Sequence, residues 1–266
     1  MKIPSAALRV LQSVGIDPTL TGGDLLTAIV VRPDGRRRRI LGSSTKTKKG
    51  ERQGVLTAVA YLAPAQTAGV NTCPHATGCA RVCLTSPGHM RWPASKRARI
   101  LRTLHYWLFR EDFLRQLNAE IDAHAAKAAR LSLEPACRLN GTSDLRWERH
   151  GIPQKHSDVR FYDYTKHPLS ARAKLDNYHL TYSWNEGPEA PVRAAAWLAS
   201  GGAVAVVVRG QATARALVDA GTWRGHPTVD GDRDDLRFRD PPRASWVILY
   251  AKGAAVRDDS GFVVDP

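Results

Sequence analysis

An α/β architecture, specifically an open or partial parallel (β/α) barrel, is implied by three features of the chain. Apolar or β-branched runs alternate with helical stretches, polar residues cluster just after those runs, and three cysteines follow the first core strand. In such folds the residues past the C-terminal ends of the strands line the functional site.

Residues 5–15 read as a short helix. Residues 25–31 and 40–41, joined through Pro33-Asp34-Gly35, read as a hairpin whose tip carries Arg36, Arg37, Arg38 and Arg39. The charged stretch 42–53, with Lys46, Lys48 and Lys49, reads as a loop or link. The division expected is a small N-terminal unit, 1–50, of helix and basic hairpin, and an α/β metal-binding domain over 51–266. Residues 55–62 form the first core strand and run through Pro64 into the cysteine loop. Residues 95–109 and 112–131 read as helices, and Phe113, Leu117 and Ile121 form an i, i+4, i+8 stripe best explained as core. Strands then follow at 136–139, 159–164, 178–183, 203–208 and 246–250, with helices at 190–200 and 212–220.

With 266 residues, 43% of them hydrophobic, the chain can bury a full core in one large domain, with or without a small appendage. No apolar run is long enough to cross a membrane, and residues 1–5 hold no hydrophobic signal core, so the expected setting is cytoplasmic. A net charge of +14 and a pI near 10.1 favour a polyanionic partner, with nucleic acid the natural candidate. Arg36, Arg37, Arg38, Arg39, Lys46, Lys48 and Lys49 are the expected contacts to a phosphate backbone, against the plainer reading of a solvated charged turn. Oligomeric state is left open.

The cysteines carry the most chemistry. Cys73, Cys79 and Cys83 fall within eleven residues, in Asn71-Thr-Cys-Pro-His75-Ala-Thr-Gly78-Cys-Ala-Arg-Val-Cys83, and the one other cysteine is Cys137. Thiolates at C-x5-C-x3-C spacing in a glycine-containing loop can converge on one metal centre, which is the expectation here. Two plainer readings compete: a disulfide framework, which a single short cluster in a chain of this length suits less well, and buried packing cysteines, which a loop holding Pro74, Thr77, Gly78 and Arg81 suits less well. Three thiolates suit a 4Fe-4S cluster with one open corner. A zinc site would use Cys73, His75, Cys79 and Cys83, although a Cys-x-His pair crowds adjacent ligands. Cys137, at a strand start, reads as core packing.

Polar groups follow the later strands in series: Asn140, Thr142, Ser143 and Asp144 with Trp147 and Glu148; Asp163, Tyr164, Lys166 and His167; Ser183, Asn185 and Glu186; Arg209 and Gln211; Lys252. Polar turns after strands are ordinary, but a series of them beside a cysteine loop points to a site. A different candidate is the acidic run Asp230, Asp232, Asp234, Asp235 and Asp240, which would suit a Mg²⁺-dependent hydrolase. Arg233, Arg237, Arg239 and Arg243 are interleaved with it, which fits a salt-bridged loop better.

Several phrases resemble the gene product eighty-eight family of bacteriophage proteins and its actinobacteriophage relatives. They are Leu62-Ala-Pro64, Asn71-Thr-Cys-Pro74 with Cys79 and Cys83, Arg138-Leu-Asn-Gly-Thr-Ser-Asp144, Tyr162-Asp-Tyr-Thr-Lys166, Leu180-Thr-Tyr-Ser183, Asp230-Gly-Asp232 and Ala251-Lys-Gly253. The resemblance covers residues 50–266 and implies a phage protein without implying an activity.

A second similarity is architectural. Radical S-adenosylmethionine enzymes use a partial α/β barrel in which the loop after the first strand gives three cysteines to a 4Fe-4S cluster. The order of elements here is similar, but the spacing departs from C-x3-C-x2-C and no Gly-Gly-Glu follows the second strand. That similarity implies cofactor contacts from Asn140, Ser143 and Asp144, and a proton-handling or anion-binding Lys166 with Asp163 and Tyr164 beside it. Two readings follow: an iron–sulfur enzyme, radical-type and using S-adenosylmethionine, acting on nucleic acid or a nucleotide; or a non-catalytic nucleic-acid-binding protein braced by iron–sulfur or zinc.

Overall fold

The computed structural model describes residues 3–83, 88–241 and 244–266. Its strands are β1 (Leu41–Gly42), β2 (Val55–Ala60), β3 (Glu134–Arg138), β4 (Arg160–Thr165), β5 (Tyr178–Ser183), β6 (Ala203–Val208), β7 (Thr222–Trp223), β8 (His226–Asp230), β9 (Ser245–Tyr250) and β10 (Val263–Val264). Its α-helices are α1 (Ser5–Ser13), α2 (Gly22–Val30), α3 (Thr45–Lys48), α4 (Pro93–Leu108), α5 (Arg110–Arg130), α6 (Ile152–Lys155), α7 (Ala190–Ala199) and α8 (Gln211–Asp219).

Among the described residues the strands make one sheet in the order β1-β2-β3-β4-β5-β6-β9-β8-β7, with β10 also on β6. From β2 to β6 the strands lie in chain order and run parallel. Antiparallel pairing is confined to β1 with β2 and β7 with β8, and the sheet does not close into a barrel. The strands expected from apolar runs correspond to β2 through β6 and β9. Both β2 and β6 are apolar along almost their whole length because both sheet faces are covered.

Alternation assigns the faces. Val204, Val206 and Val208 pack with Trp197 and Leu198 of α7 and Ala214 of α8, whereas Ala203 and Ala205 pack with Val229 and Val247 on the other side. The stripe Phe113, Leu117 and Ile121 of α5 packs on Ala58, Ala60, Cys137, Leu139 and Phe161, so it is core as read. Helices α1 and α2 share a second core with Ile100, Leu101 and Leu104 of α4 and with Ala63, Ala68 and Val70 of the loop leaving β2.

One element of the sequence reading is corrected. Residues 25–30 are helical, not the first arm of a hairpin. Leu25 and Ile29 stand one helical turn apart and are both buried, with Asp24 in the first turn where a carboxylate complements the helix dipole. The second arm, Leu41, joins the sheet beside Ala60. The expected turn does exist: Arg32 N–H donates to Arg36 O at 2.9 Å, and Val31 bridges Arg37.

The sheet also opens where a site would need it. β5 pairs with β6 only as far as Ser183 opposite Ala205, and β10 takes the place beside Val207 and Val208. Since β9 occupies the other edge of β6 throughout, β10 fills the divergence between β5 and β6. No described helix is long and apolar enough to cross a membrane.

Candidate functional site

The cysteine loop leaves β2 and is tied down before it reaches Cys73. Ala63 N–H donates to Thr103 Oγ1 at 2.8 Å, and the buried Thr72 donates through Oγ1 to Ala63 O at 2.6 Å. Between them Ala65 has φ of 47°, a left-handed conformation that costs a non-glycine residue on the order of 1 kcal/mol and recurs at functional sites. It is held by Thr72 N–H donating to Ala65 O at 3.0 Å. In this conformation the Ala65 N–H donates to Cys73 Sγ at 3.3 Å. An amide aimed at sulfur stabilises a thiolate and tunes a metal bound to it.

Burial pushes the Cys73 thiol up to about 11, with the Ala65 N–H opposing, and burial raises Cys79 as well, with Lys166 opposing. Both thiols are therefore protonated at neutral pH, and a metal would bind with release of their protons. Cys83 lies within electrostatic reach of both Cys73 and Cys79. Among the described residues no three His, Cys, Asp or Glu side chains close on an ion-sized point. Zinc with bonds of about 2.3 Å would need sulfurs about 3.8 Å apart, whereas a polynuclear cluster spreads its thiolates wider.

The loop after β3 is organised by Asn140. Its Oδ1 accepts from Ser143 Oγ at 2.9 Å, Leu145 N at 2.9 Å and Trp147 Nε1 at 3.1 Å, and its Nδ2 donates to Leu145 O at 2.8 Å. Asn140 and Ser143 thus spend their polar atoms on the protein itself, Asn140 Nδ2 also reaching Asp163 Oδ2 at 3.4 Å. Gly141 is required by close approach, since a Cβ there would stand 2.7 Å from Val59 and from Tyr61. Asp144 N–H donates to Thr72 O at 2.9 Å, which brings this loop against the cysteine loop.

The ends of β4 and β5 complete the site. Asp144 Oδ2 accepts from Lys166 N at 2.8 Å, and its Oδ1 lies 3.6 Å from the Arg172 guanidinium. Arg172 is buried and held by both oxygens of Glu148, at 2.7 and 3.1 Å. Lys166 Nζ donates to Ser183 O, Ser183 Oγ and Trp184 O at 3.2, 3.1 and 2.8 Å. Burial lowers its pKa, against the charges of Cys79, Asp144, Glu186 and Cys73. Phe262, next to β10, lies under the ammonium at 5.1 Å, a cation–π contact.

A histidine pair borders this centre. His167 Nε2 faces Asp144 O at 3.2 Å, and a carbonyl only accepts, so Nδ1 of a neutral His167 accepts from His75 Nε2 at 3.1 Å. His75 is therefore bonded to His167, and burial lowers the pKa of both. Glu186 approaches from beyond β5, and its Oε1 accepts from the Gly78 N–H.

Other residues singled out in the sequence lie elsewhere. Asp163 is buried on the helix-facing side of β4, accepting from Asn140 N and Tyr178 OH, both at 2.8 Å. Cys137 is fully buried in the α5 core, with its thiol pushed far up by desolvation. In the basic turn, Arg37 pairs with Asp112, and Arg38 donates to Ile29 O and Val31 O at 3.1 and 3.3 Å, fastening the end of α2. Arg36, Arg39, Lys48 and Lys49 are exposed, and the side chain of Lys46 lies outside the described ones.

The acidic run is salt-bridged. Asp234 and Asp240 pair with Arg237, Asp235 with Arg138, and Asp232 with Lys252, while Asp230 accepts from two backbone amides. Arg243 lies outside the described residues. The sequence reading missed Ala65, Arg172 and Phe262. Alanine carries no chemical signal, and the other two act through contacts that no local spacing records.

Fold and site together define an α/β protein with a three-cysteine loop at the C-terminal end of a parallel sheet, beside a half-buried lysine and two carboxylates. The family model described as Gene product 88 matches residues 36–266, and the chain belongs to that bacteriophage family. No curated protein and no solved structure matches it.

Proposed function

We propose that this protein is an iron–sulfur protein that acts on nucleic acid or a nucleotide, with Cys73, Cys79 and Cys83 as ligands of a 4Fe-4S cluster. The observation that carries this is the neighbourhood of the three sulfurs, one of them accepting a backbone N–H, with the Lys166 ammonium beside two of them. A bound cluster with an open corner supplies electrons to a ligand there, and S-adenosylmethionine is the cofactor this reading favours. Lys166 supplies positive charge near that corner, and Asp163 acts at a distance by positioning the Asn140 loop. Of the three expected cofactor contacts, Asp144 keeps an oxygen that accepts no hydrogen bond among the described residues, whereas Asn140 and Ser143 shape the loop. The exposed arginines and lysines of the N-terminal turn are the proposed phosphate contacts.

The inward use of Asn140 and Ser143 favours a second reading, a non-catalytic nucleic-acid-binding protein whose metal braces the fold. Cysteine substitution tests the shared core of both. Cys73→Ala, Cys79→Ala and Cys83→Ala are each expected to abolish iron incorporation, while Cys137→Ala retains most of it. Equal metal loss in Cys137→Ala would replace the three-thiolate model with a four-cysteine site. Acid-labile sulfide together with reductive cleavage of S-adenosylmethionine selects the enzyme; zinc without sulfide selects the brace.

A further inference from the structure

Glu186 follows β5 and enters the space between the cysteine loop and Lys166. Its Oε1 accepts from the N–H of Gly78, the residue before Cys79, and its Oε2 is buried with no hydrogen-bond partner among the described residues. Native proteins rarely leave a buried carboxylate oxygen uncommitted, because water's hydrogen bonds are lost and nothing replaces them. Glycine at position 78 admits the carboxylate, since a Cβ there would stand 2.9 Å from Glu186 Oε1 and closer still to Ser260. The charge of Glu186 acts on both Cys79 and Lys166.

The neighbouring candidate ligands are held by other charges or bonds. Asp144 takes the Lys166 N–H on one oxygen, and its other oxygen, though without a hydrogen bond among the described residues, lies 3.6 Å from the buried Arg172 guanidinium. His75 is bonded to His167 through Nε2. The three protons of the Lys166 ammonium have acceptors in Ser183 and Trp184, so Lys166 stands near Glu186 without consuming Oε2.

The geometry points to Glu186 as the fourth protein ligand of the cluster, binding through Oε2 the iron that Cys73, Cys79 and Cys83 leave open. This rests on the iron–sulfur reading above. The Gly78 N–H then sets the angle of the carboxylate, as an outer-shell donor does for a metal ligand. A carboxylate is a harder ligand than thiolate, so its bond to the cluster is the weakest of the four and the one a cofactor amine would displace.

Anaerobic reconstitution of the full chain with ferrous iron and sulfide is the test, with iron counted and the oxidised protein examined by electron paramagnetic resonance. The wild-type chain is expected to hold four irons and give no signal. Glu186→Gln keeps an acceptor for Gly78 but offers iron a far poorer oxygen. It is expected to lose one iron and to show the signal of an oxidised three-iron cluster. Glu186→Cys reads the same position independently: four irons with a reduction potential different from wild type support the assignment, and an unchanged potential contradicts it. Four irons and a silent spectrum in Glu186→Gln would overturn Glu186 as ligand while the cluster stands. A wild-type chain that takes up no iron overturns both.

Discussion

Asp163 and Lys166 are three residues apart at the end of one strand, and because side chains alternate across a strand they leave it on opposite faces. Lys166 reaches the cysteine loop, whereas Asp163 turns into the α5 side and accepts the Asn140 amide. Burial pushes the Asp163 carboxyl up to about 7 from an ordinary 3.8, against the opposing pull of Arg138. The folded state therefore holds this proton more tightly than the unfolded state does. Its contribution to stability is complete below the ordinary carboxylate range and is lost as pH rises through about 7. Asp163→Asn, neutral throughout, is expected to remove that slope. Denaturant melts at about pH 5 and about pH 8 check it: wild type should lose stability relative to the variant on going to the higher pH. A wild-type slope identical to that of the variant would contradict a raised carboxyl. Lys166 and Asp144 were legible as strand-end polar groups. The opposed facing of Asp163 was not, since it depends on which residue ends the strand.

At the scale of elements, the basic turn divides into residues that hold the fold and residues free to meet a partner. Arg37 and Arg38 anchor α5 and the end of α2, so a variant removing all four arginines would mix lost folding with lost binding. Arg36→Ser with Arg39→Ser is the cleaner change. Each phosphate contact contributes about 0.9 to the slope of log affinity against log salt for duplex DNA, so losing two should flatten that slope by about 1.8. Binding to duplex DNA across a salt series measures it, and equal slopes would return the turn to a solvated surface. The turn itself was readable from Pro33-Asp34-Gly35, but the helix before it was not. Leu25, Leu26, Ile29, Val30 and Val31 suit a strand as well as a helix, and contact with α1 and α4 decides between them. Two-residue strands such as β1, β7 and β10 carry no periodic signal at all, so the filling of the gap between β5 and β6 by the last residues of the chain had no local signature.

Across the whole molecule, β2 through β6 stand side by side in chain order, so the loops that follow them gather along one edge of the sheet. That arrangement unites Cys73, Asp144, Lys166 and Glu186, which are separated by more than a hundred residues of sequence. The gathering was legible because each core strand is a distinct apolar run. Closure was not, because the number of strands and their curvature are set by packing on both faces, and the sheet stays open. The C-terminal segment bears on the same centre: Phe262 lies under Lys166 and, like Val82 of the cysteine loop, packs on the cluster of Ala251, Ala255 and Val263. The proposed function depends on whether this assembly holds an iron–sulfur cluster. Anaerobic purification and reconstitution, followed by a visible absorption spectrum with iron and acid-labile sulfide counted per chain, tests it most directly. A brown protein with a broad visible shoulder and iron matched by sulfide is the predicted result. A colourless protein carrying zinc without sulfide, or no metal after reconstitution, would contradict it.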